Sequence, residues 1–373
     1  MEKRTKAPSK SLRSGLGGLL LAALATASIV GASPLANVGK LLFFDVALSA
    51  DGKVACATCH QPGRAFADGR PVSSGAFGLQ GTRNAPSLLD VAQRPALAWD
   101  GRTGTLSDQV ALALSHPREH ALAGPRIVVE LVLRNEGYRK AFSDAGLDDP
   151  LTSSAIGSAL VAYIESLRTE ASPFDRWRAG DSAAISGSAR RGFEVFRGVA
   201  GCARCHRIDG ERPTFTDNEF HAVGVGSERI ASRLAALVTE VRAATHEQLE
   251  LLIATDPEIA ALGRFLVTRD PADIGKYRTP GLRNVAVTAP YFHDGSARTL
   301  ADALAQELYY RGRERGQPKA ITTAEQADLV AFLESLTDDR YSPPTAANVP
   351  ALRLQVGLSE RRTFARPEVG KGR

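Results

Sequence analysis

The sequence predicts a mainly α-helical fold built from two similar units, and three observations predict it. Apolar residues recur at helical spacing over 105–115, 126–134, 153–169, 229–244, 300–310 and 323–336. Strand signals are few. One pattern occurs twice: a short helical stretch with aromatics, NVGKLLFFDVAL at 37–48 and RGFEVFRGV at 191–199, each leading to a Cys-x-x-Cys-His segment.

The chain has 373 residues, 43% hydrophobic and 23% charged, enough for one large or two medium domains. Its first 32 residues read as an export leader. A basic stretch, MEKRTKAPSKSLR, precedes an uncharged one, GLGGLLLAALATASIVGA, that ends in small residues suited to cleavage. A stretch of this length would also serve as an uncleaved membrane anchor. No later stretch is long and apolar enough to span a bilayer. Of the net charge of +5, the leader contributes +4, from Lys3, Arg4, Lys6, Lys10 and Arg13 against Glu2, so the remainder is about +1. That balance leaves no basic footprint for nucleic acid.

All four cysteines fall in two copies of one motif, Cys56-Ala57-Thr58-Cys59-His60 and Cys202-Ala203-Arg204-Cys205-His206. C-x-x-C-H is the attachment motif of c-type haem. Two thiols add to the two vinyl groups on one porphyrin edge, and the following imidazole reaches the iron, which makes His60 and His206 the proximal ligands. Local disulfides would not need a histidine after each pair. A shared zinc site would not separate its pairs so widely. The expected fold is therefore two cytochrome c-like domains, each around one covalently bound haem: 33–180 and 181–345, followed by an irregular tail at 346–373. The polar run AGDSAAISGS at 179–188 is the linker. Aromatics make up only 6% of residues, and a haem supplies each core with a large apolar face.

Several longer segments carry a family resemblance: GKLLFFDVALSADGKVACATCH, RNAPSLLDV, AWDGR, DQVALALSHPREH, GCARCH, FTDNEFHAVGVG and YRTPGLRNVAVTAPYFHDGSARTL. In this order, over roughly residues 37–340, the chain resembles the bacterial dihaem cytochrome c peroxidase and MauG family. The resemblance implies that hydrogen peroxide reacts at the N-terminal haem. It makes Glu119 the acid/base and Gln109 the residue that orients peroxide or its water. Trp99 matches the tryptophan between the haems, a position that would also suit an ordinary interface tryptophan. Asn84, with the backbone carbonyls of Thr288 and Pro290, matches an interdomain calcium site, and oxygen-only donors suit that ion.

Two departures from the reductively activated members stand out. Their loop between the first haem motif and RNAP holds a histidine that blocks the iron. Here residues 61–82 contain none, which implies an open first haem, as in MauG. His116 and His120, the nearest remaining histidines, read as surface or structural residues, with a distal-pocket role as the alternative. The second departure concerns the other haem, where most such peroxidases place a methionine opposite the proximal histidine. The only methionine here is Met1, so a His/Met haem is excluded in the mature chain. The aligned position is Glu307 without a gap and Tyr309 with two extra residues, followed by Tyr310. Tyr309 is preferred by analogy with MauG, with Tyr310 and Glu307 as alternatives. His221 and His293 read as structural or propionate neighbours.

The implied function is a periplasmic peroxidase fed through the C-terminal haem by a small c-type cytochrome or copper protein. The alternatives are a MauG-like enzyme that oxidises Trp or Tyr of a protein substrate and a non-catalytic dihaem electron carrier. The implied cofactors are two haem c and one Ca2+. Relatives are often dimers, so a homodimer is an expectation. Membrane contact would follow only from an uncleaved leader.

Overall fold

The computed structural model describes residues 33–147, 151–314 and 321–341. The leader and the 346–373 tail lie outside the described residues. The rest is mainly helical, as expected, with a single two-stranded ladder among the described residues.

A crossing of two helices organises each half. Helix Pro34–Phe43 starts at Ser33, whose Oγ accepts the Ala36 N–H at 3.1 Å, and Pro34 occupies a first-turn position that needs no amide donor. The helix buries Val38, Leu42 and Phe43 and crosses helix Ser153–Ser166. Gly39 sits at the contact: a β-carbon there would lie 1.8 Å from the Ala159 carbonyl oxygen. In the second half, helix Gly187–Arg197 crosses helix Thr323–Glu334, and a β-carbon on Gly192 would lie 1.8 Å from the Asp328 carbonyl oxygen. Four residues on, Tyr163 and Phe332 close the two contacts, each with its Cβ at 2.9 Å. The duplication read from the cysteine motifs thus extends to backbone packing.

The two cores differ in character. The first is largely aliphatic, around Leu42, Leu48, Ile156 and Leu160. The second is built on Phe174, Phe196, Phe215 and Phe332, with ring centroids 4.9 Å apart for Phe196–Phe332 and 5.4 Å for Phe174–Phe332.

A third apolar cluster was not anticipated. Strand Phe220–Ala222 pairs antiparallel with Lys276–Arg278, Phe220 facing Arg278. Between them the chain makes a helical lobe around Leu237, Val241, Leu249, Ile253, Ile259 and Phe265. The helix expected over 229–244 is broken into Ser227–Ile230, a short 3-10 turn and Leu234–Ala243. The lobe reaches back onto the first half. Thr82 Oγ1 donates to the Ile253 carbonyl at 2.7 Å, Arg83 to the Ala260 carbonyl at 2.8 Å, and Arg102 pairs with Glu250 at 3.1 Å. No helix among the described residues is long and apolar enough to cross a membrane.

Candidate haem sites and the wall between them

The Cys56–Cys59 segment forms one helical turn, with Thr58 Oγ1 accepting the Ala55 N–H at 3.0 Å. Cys56, Cys59 and His60 then border a cavity in the first half. His60 Nδ1 lies 3.0 Å from the Phe66 carbonyl, and a carbonyl can only accept, so Nδ1 carries the proton. That leaves Nε2 as the nitrogen to offer a metal, the usual arrangement for a ligating imidazole. The second motif repeats the device: His206 Nδ1 meets the Phe215 carbonyl at 2.9 Å. Phe66 and Phe215 both adopt left-handed backbone angles, with φ of 58° and 57°. In each half the loop turns back to present its carbonyl to the imidazole.

Gln109, His116 and Glu119 also border the first cavity. Gln109 stands on helix Leu106–Ser115, where Thr103 Oγ1 donates to its Oε1 at 2.7 Å, so its amide N–H groups remain as donors. Glu119 follows in a turn, its N–H donating to the His116 carbonyl at 3.0 Å, and the 61–82 loop clasps this turn through Ala76 N–H to the Glu119 carbonyl at 2.7 Å. The Glu119 side chain keeps 47% of its accessible surface at the border of this partly open cavity. Burial pushes its carboxyl up to about 7, against a downward pull from Arg102. His116 Nδ1 lies 3.6 Å from Glu119 Oε1. Burial, then Arg102 and Arg118, push this imidazole down to about 4, so it is neutral beside the carboxyl. His116 is therefore a cavity residue. His120 also borders this cavity and is buried, with Nδ1 bonded to the Leu48 carbonyl at 2.5 Å and Nε2 3.6 Å from Cys56 Sγ.

The second cavity is bordered by Cys202, Cys205 and His206 on one side and by helix Leu300–Glu314 on the other. That helix presents Leu300, Ala303, Leu304, Glu307, Leu308 and Arg311, one stripe at helical spacing. Glu307 Oε1 accepts from Arg311 Nε at 2.7 Å. Tyr309 is 54% exposed and, with Tyr310, borders a separate surface groove beside Arg229 and Asp294. Two residues of α-helix turn a side chain by about 200°, so Tyr309 and Glu307 cannot face the same cavity. Tyr310 packs against Gly224. His221 Nε2 contacts Asp217 Oδ2 at 2.8 Å, and His293 is buried flat on Tyr277 with ring centroids 3.7 Å apart.

Trp99, Asn84, Arg94 and Arg278 border both cavities. Trp99 is fixed at both ends, its Nε1–H donating to the Asn84 carbonyl at 2.8 Å and its own carbonyl accepting the Arg278 N–H at 2.9 Å. The two arginines were missed by sequence reasoning, since neither lies in a motif that marks a cation. Arg94 reaches only the carbonyls of Ser87 and Leu89, and Arg278 only that of Thr279, while Arg278 Nε has no partner among the described residues. Neither makes an ion pair among the described residues. Burial pushes Arg94 down to about 10 and Arg278 to about 9, with Arg94 adding repulsion to Arg278. Buried cations of this kind call for anions. Two haems whose propionates approach this wall would supply them. Together with the two imidazoles, this donor set fits haem in both cavities.

Asn84, Thr288 and Pro290 border the second cavity at the seam between the halves, where Asn84 N–H donates to the His293 carbonyl at 2.8 Å. Asn84 Nδ2 is used by the Arg70 carbonyl at 3.0 Å, leaving Oδ1 as its atom for a cation.

Comparison with known proteins agrees with this donor set. A family model described as di-haem cytochrome c peroxidase matches residues 33–183. The chain is 34% identical over 313 residues to the methylamine utilization protein MauG of Methylophilus methylotrophus, covering 81% of this chain and 82% of that one. It is 32% identical over 323 residues to the cytochrome-c peroxidase IdrP2 of Denitromonas iodatirespirans, covering 83% of each. The crystal structure of the diheme peroxidase BthA from Burkholderia thailandensis superposes with a TM-score of 0.62 at 28% identity, covering 84% of this chain and 88% of that one. The chain thus belongs to the di-haem cytochrome c peroxidase family, as an oxidoreductase whose two cavities each pair a C-x-x-C-H motif with a carbonyl-tethered imidazole.

Proposed function

We propose that this chain reduces hydrogen peroxide to water in the cavity bordered by His60, Gln109 and Glu119, with electrons entering through the His206 cavity. The observation that supports this most is Glu119 itself, a carboxyl poised near neutrality inside the cavity that His60 borders. Bound haem supplies the electron exchange and the cleavage of the O–O bond. His60 and His206 would hold the two irons, and Cys56, Cys59, Cys202 and Cys205 would carry the thioether links.

The protein's own part is proton management. Ionised Glu119 accepts a proton from the incoming peroxide and returns it to the departing oxygen, which leaves as water. Two electrons and two protons per peroxide give two waters. The Gln109 amide donates to the bound peroxide or water, while neutral His116 leaves the proton to Glu119. Trp99, in the wall shared by both cavities, serves as the electron bridge. The donor is a small c-type cytochrome or copper protein met after export to the periplasm. Asn84 and the carbonyls of Thr288 and Pro290 hold one Ca2+, with waters completing the shell.

The 61–82 loop has no histidine to block the first iron, so fully oxidised protein should change its haem spectrum on mixing with stoichiometric peroxide. Silence until one haem is reduced would sink the open-site reading. The same loop, and the absence of any methionine beyond Met1, favour a second reading in which peroxide oxidises Trp or Tyr of a partner protein, as in a MauG-like enzyme. Rapid turnover with a reduced small cytochrome supports the first reading. Peroxide-dependent mass change in a partner protein supports the second.

A further inference from the structure

We propose that Glu307, oriented by Arg311, is the side chain that faces the second iron opposite His206 and serves as its axial carboxylate ligand. This rests on haem occupying the second cavity, and it does not depend on peroxide chemistry at the first.

The argument begins with the helix stripe. Of the six residues that helix Leu300–Glu314 turns into the cavity, Leu300, Ala303, Leu304 and Leu308 have no donor atom, and the Arg311 guanidinium has no lone pair to give. Glu307 is the one Lewis base on that face. Glu307 and His206 border the same cavity.

Three other donors bordering the cavity are already engaged. The Tyr291 hydroxyl donates to the Val285 carbonyl at 3.0 Å and the Tyr277 hydroxyl to the Ala260 carbonyl at 3.2 Å. His221 is held by Asp217. His293 lies flat on Tyr277, and its buried Nε2, without a hydrogen-bond partner among the described residues, sits on the Gly226 side, 3.5 Å from where a β-carbon on that glycine would lie. Tyr309 borders the separate groove beside Arg229 and Asp294, about 200° around the helix from Glu307.

The Arg311 contact sets the character of this ligand. Glutamate one turn before arginine is the favourable order for a helical pair, and the guanidinium holds the carboxylate at 2.7 Å. An anionic oxygen donor favours the oxidised iron, and axial-ligand identity is a principal lever on haem potential. The second haem would then lie at a lower potential than a His/Met haem, with Arg311 moderating the donation.

The test uses the full haem-loaded chain, with the first haem as an internal reference and haem content per chain as the check on folding. Paramagnetic resonance, near-infrared magnetic circular dichroism and potentiometry are recorded for the wild type and for Glu307→Gln, Glu307→Met, Tyr309→Phe and Tyr310→Phe. Glu307→Met should give the second haem a methionine-to-iron charge-transfer band and raise its midpoint potential. Glu307→Gln should alter the ferric signal of that haem alone, and both tyrosine variants should match the wild type. If either glutamate variant loads poorly, Arg311→Gln retains the carboxylate, strengthens its donation and should lower the second midpoint potential. A second-haem spectrum unchanged in both glutamate variants, or a band lost in Tyr309→Phe or Tyr310→Phe, overturns the assignment. A wild type that ignores peroxide yet shows these shifts would remove the peroxidase proposal and leave this one standing.

Discussion

Glu119 is a surface-looking residue to which the proposed function gives a role. In HPREH it reads as one more charge, and only the register with AWDGR and Gln109 singles it out. Its elevated carboxyl comes from enclosure by residues distant in sequence, which no local pattern encodes. As a base it must be ionised, so the peroxide rate should rise with pH through a midpoint near 7, while His116, held near 4, stays neutral throughout. A stopped-flow pH profile checks this. The same shift means the folded state binds that proton more tightly than the unfolded one. The residue's stabilising contribution should therefore decline as pH rises from 4.5 through about 7. Arg94 and Arg278 are the opposite case, invisible in the sequence and plain in the wall. A buried cation favours the reduced form of a nearby haem, so Arg278→Gln should lower both midpoint potentials in a redox titration.

At the scale of elements, most helices were legible because their apolar stripes and caps are local. The Thr322–Glu325 capping box, with Thr322 N–H donating to Glu325 at 2.7 Å, is an example. Which face of a helix meets a cofactor was less legible. The step from Glu307 to Tyr309 hinges on two residues of alignment, and helical geometry resolves it only once the neighbours of the helix are known. Within the 223–275 lobe only 229–244 carries a helix signal, because the lobe's job is tertiary: Ile253 and Ala254 border the first cavity from a segment well beyond both motifs. The two glycine crossings carry a direct prediction. Gly39→Ala or Gly192→Ala forces backbone apart against Ala159 or Asp328 and should cost roughly 1–3 kcal/mol in denaturant unfolding, as overpacked contacts do.

At the scale of the whole molecule, the duplicated helix crossings and carbonyl-tethered imidazoles make two similar halves, and the functional asymmetry lies in what faces each imidazole. The first cavity offers a neutral-range carboxyl and an amide; the second offers an arginine-paired carboxylate. The wall is assembled from 84–99 and 278–293, two stretches that sequence reading brought together only through the expected calcium site. A cation bound by Asn84, Thr288 and Pro290 would brace this seam. Chelator treatment should then lower the thermal midpoint and slow electron transfer between the haems, and added Ca2+ should restore both.

The central claim is that Glu119 manages the peroxide proton in the His60 cavity. Its most direct test is the second-order rate of peroxide reaction with fully oxidised, doubly haem-loaded protein, compared between the wild type and Glu119→Gln. The account predicts a loss of about 100-fold or more with both haem spectra otherwise intact. An unchanged rate in that variant would contradict it.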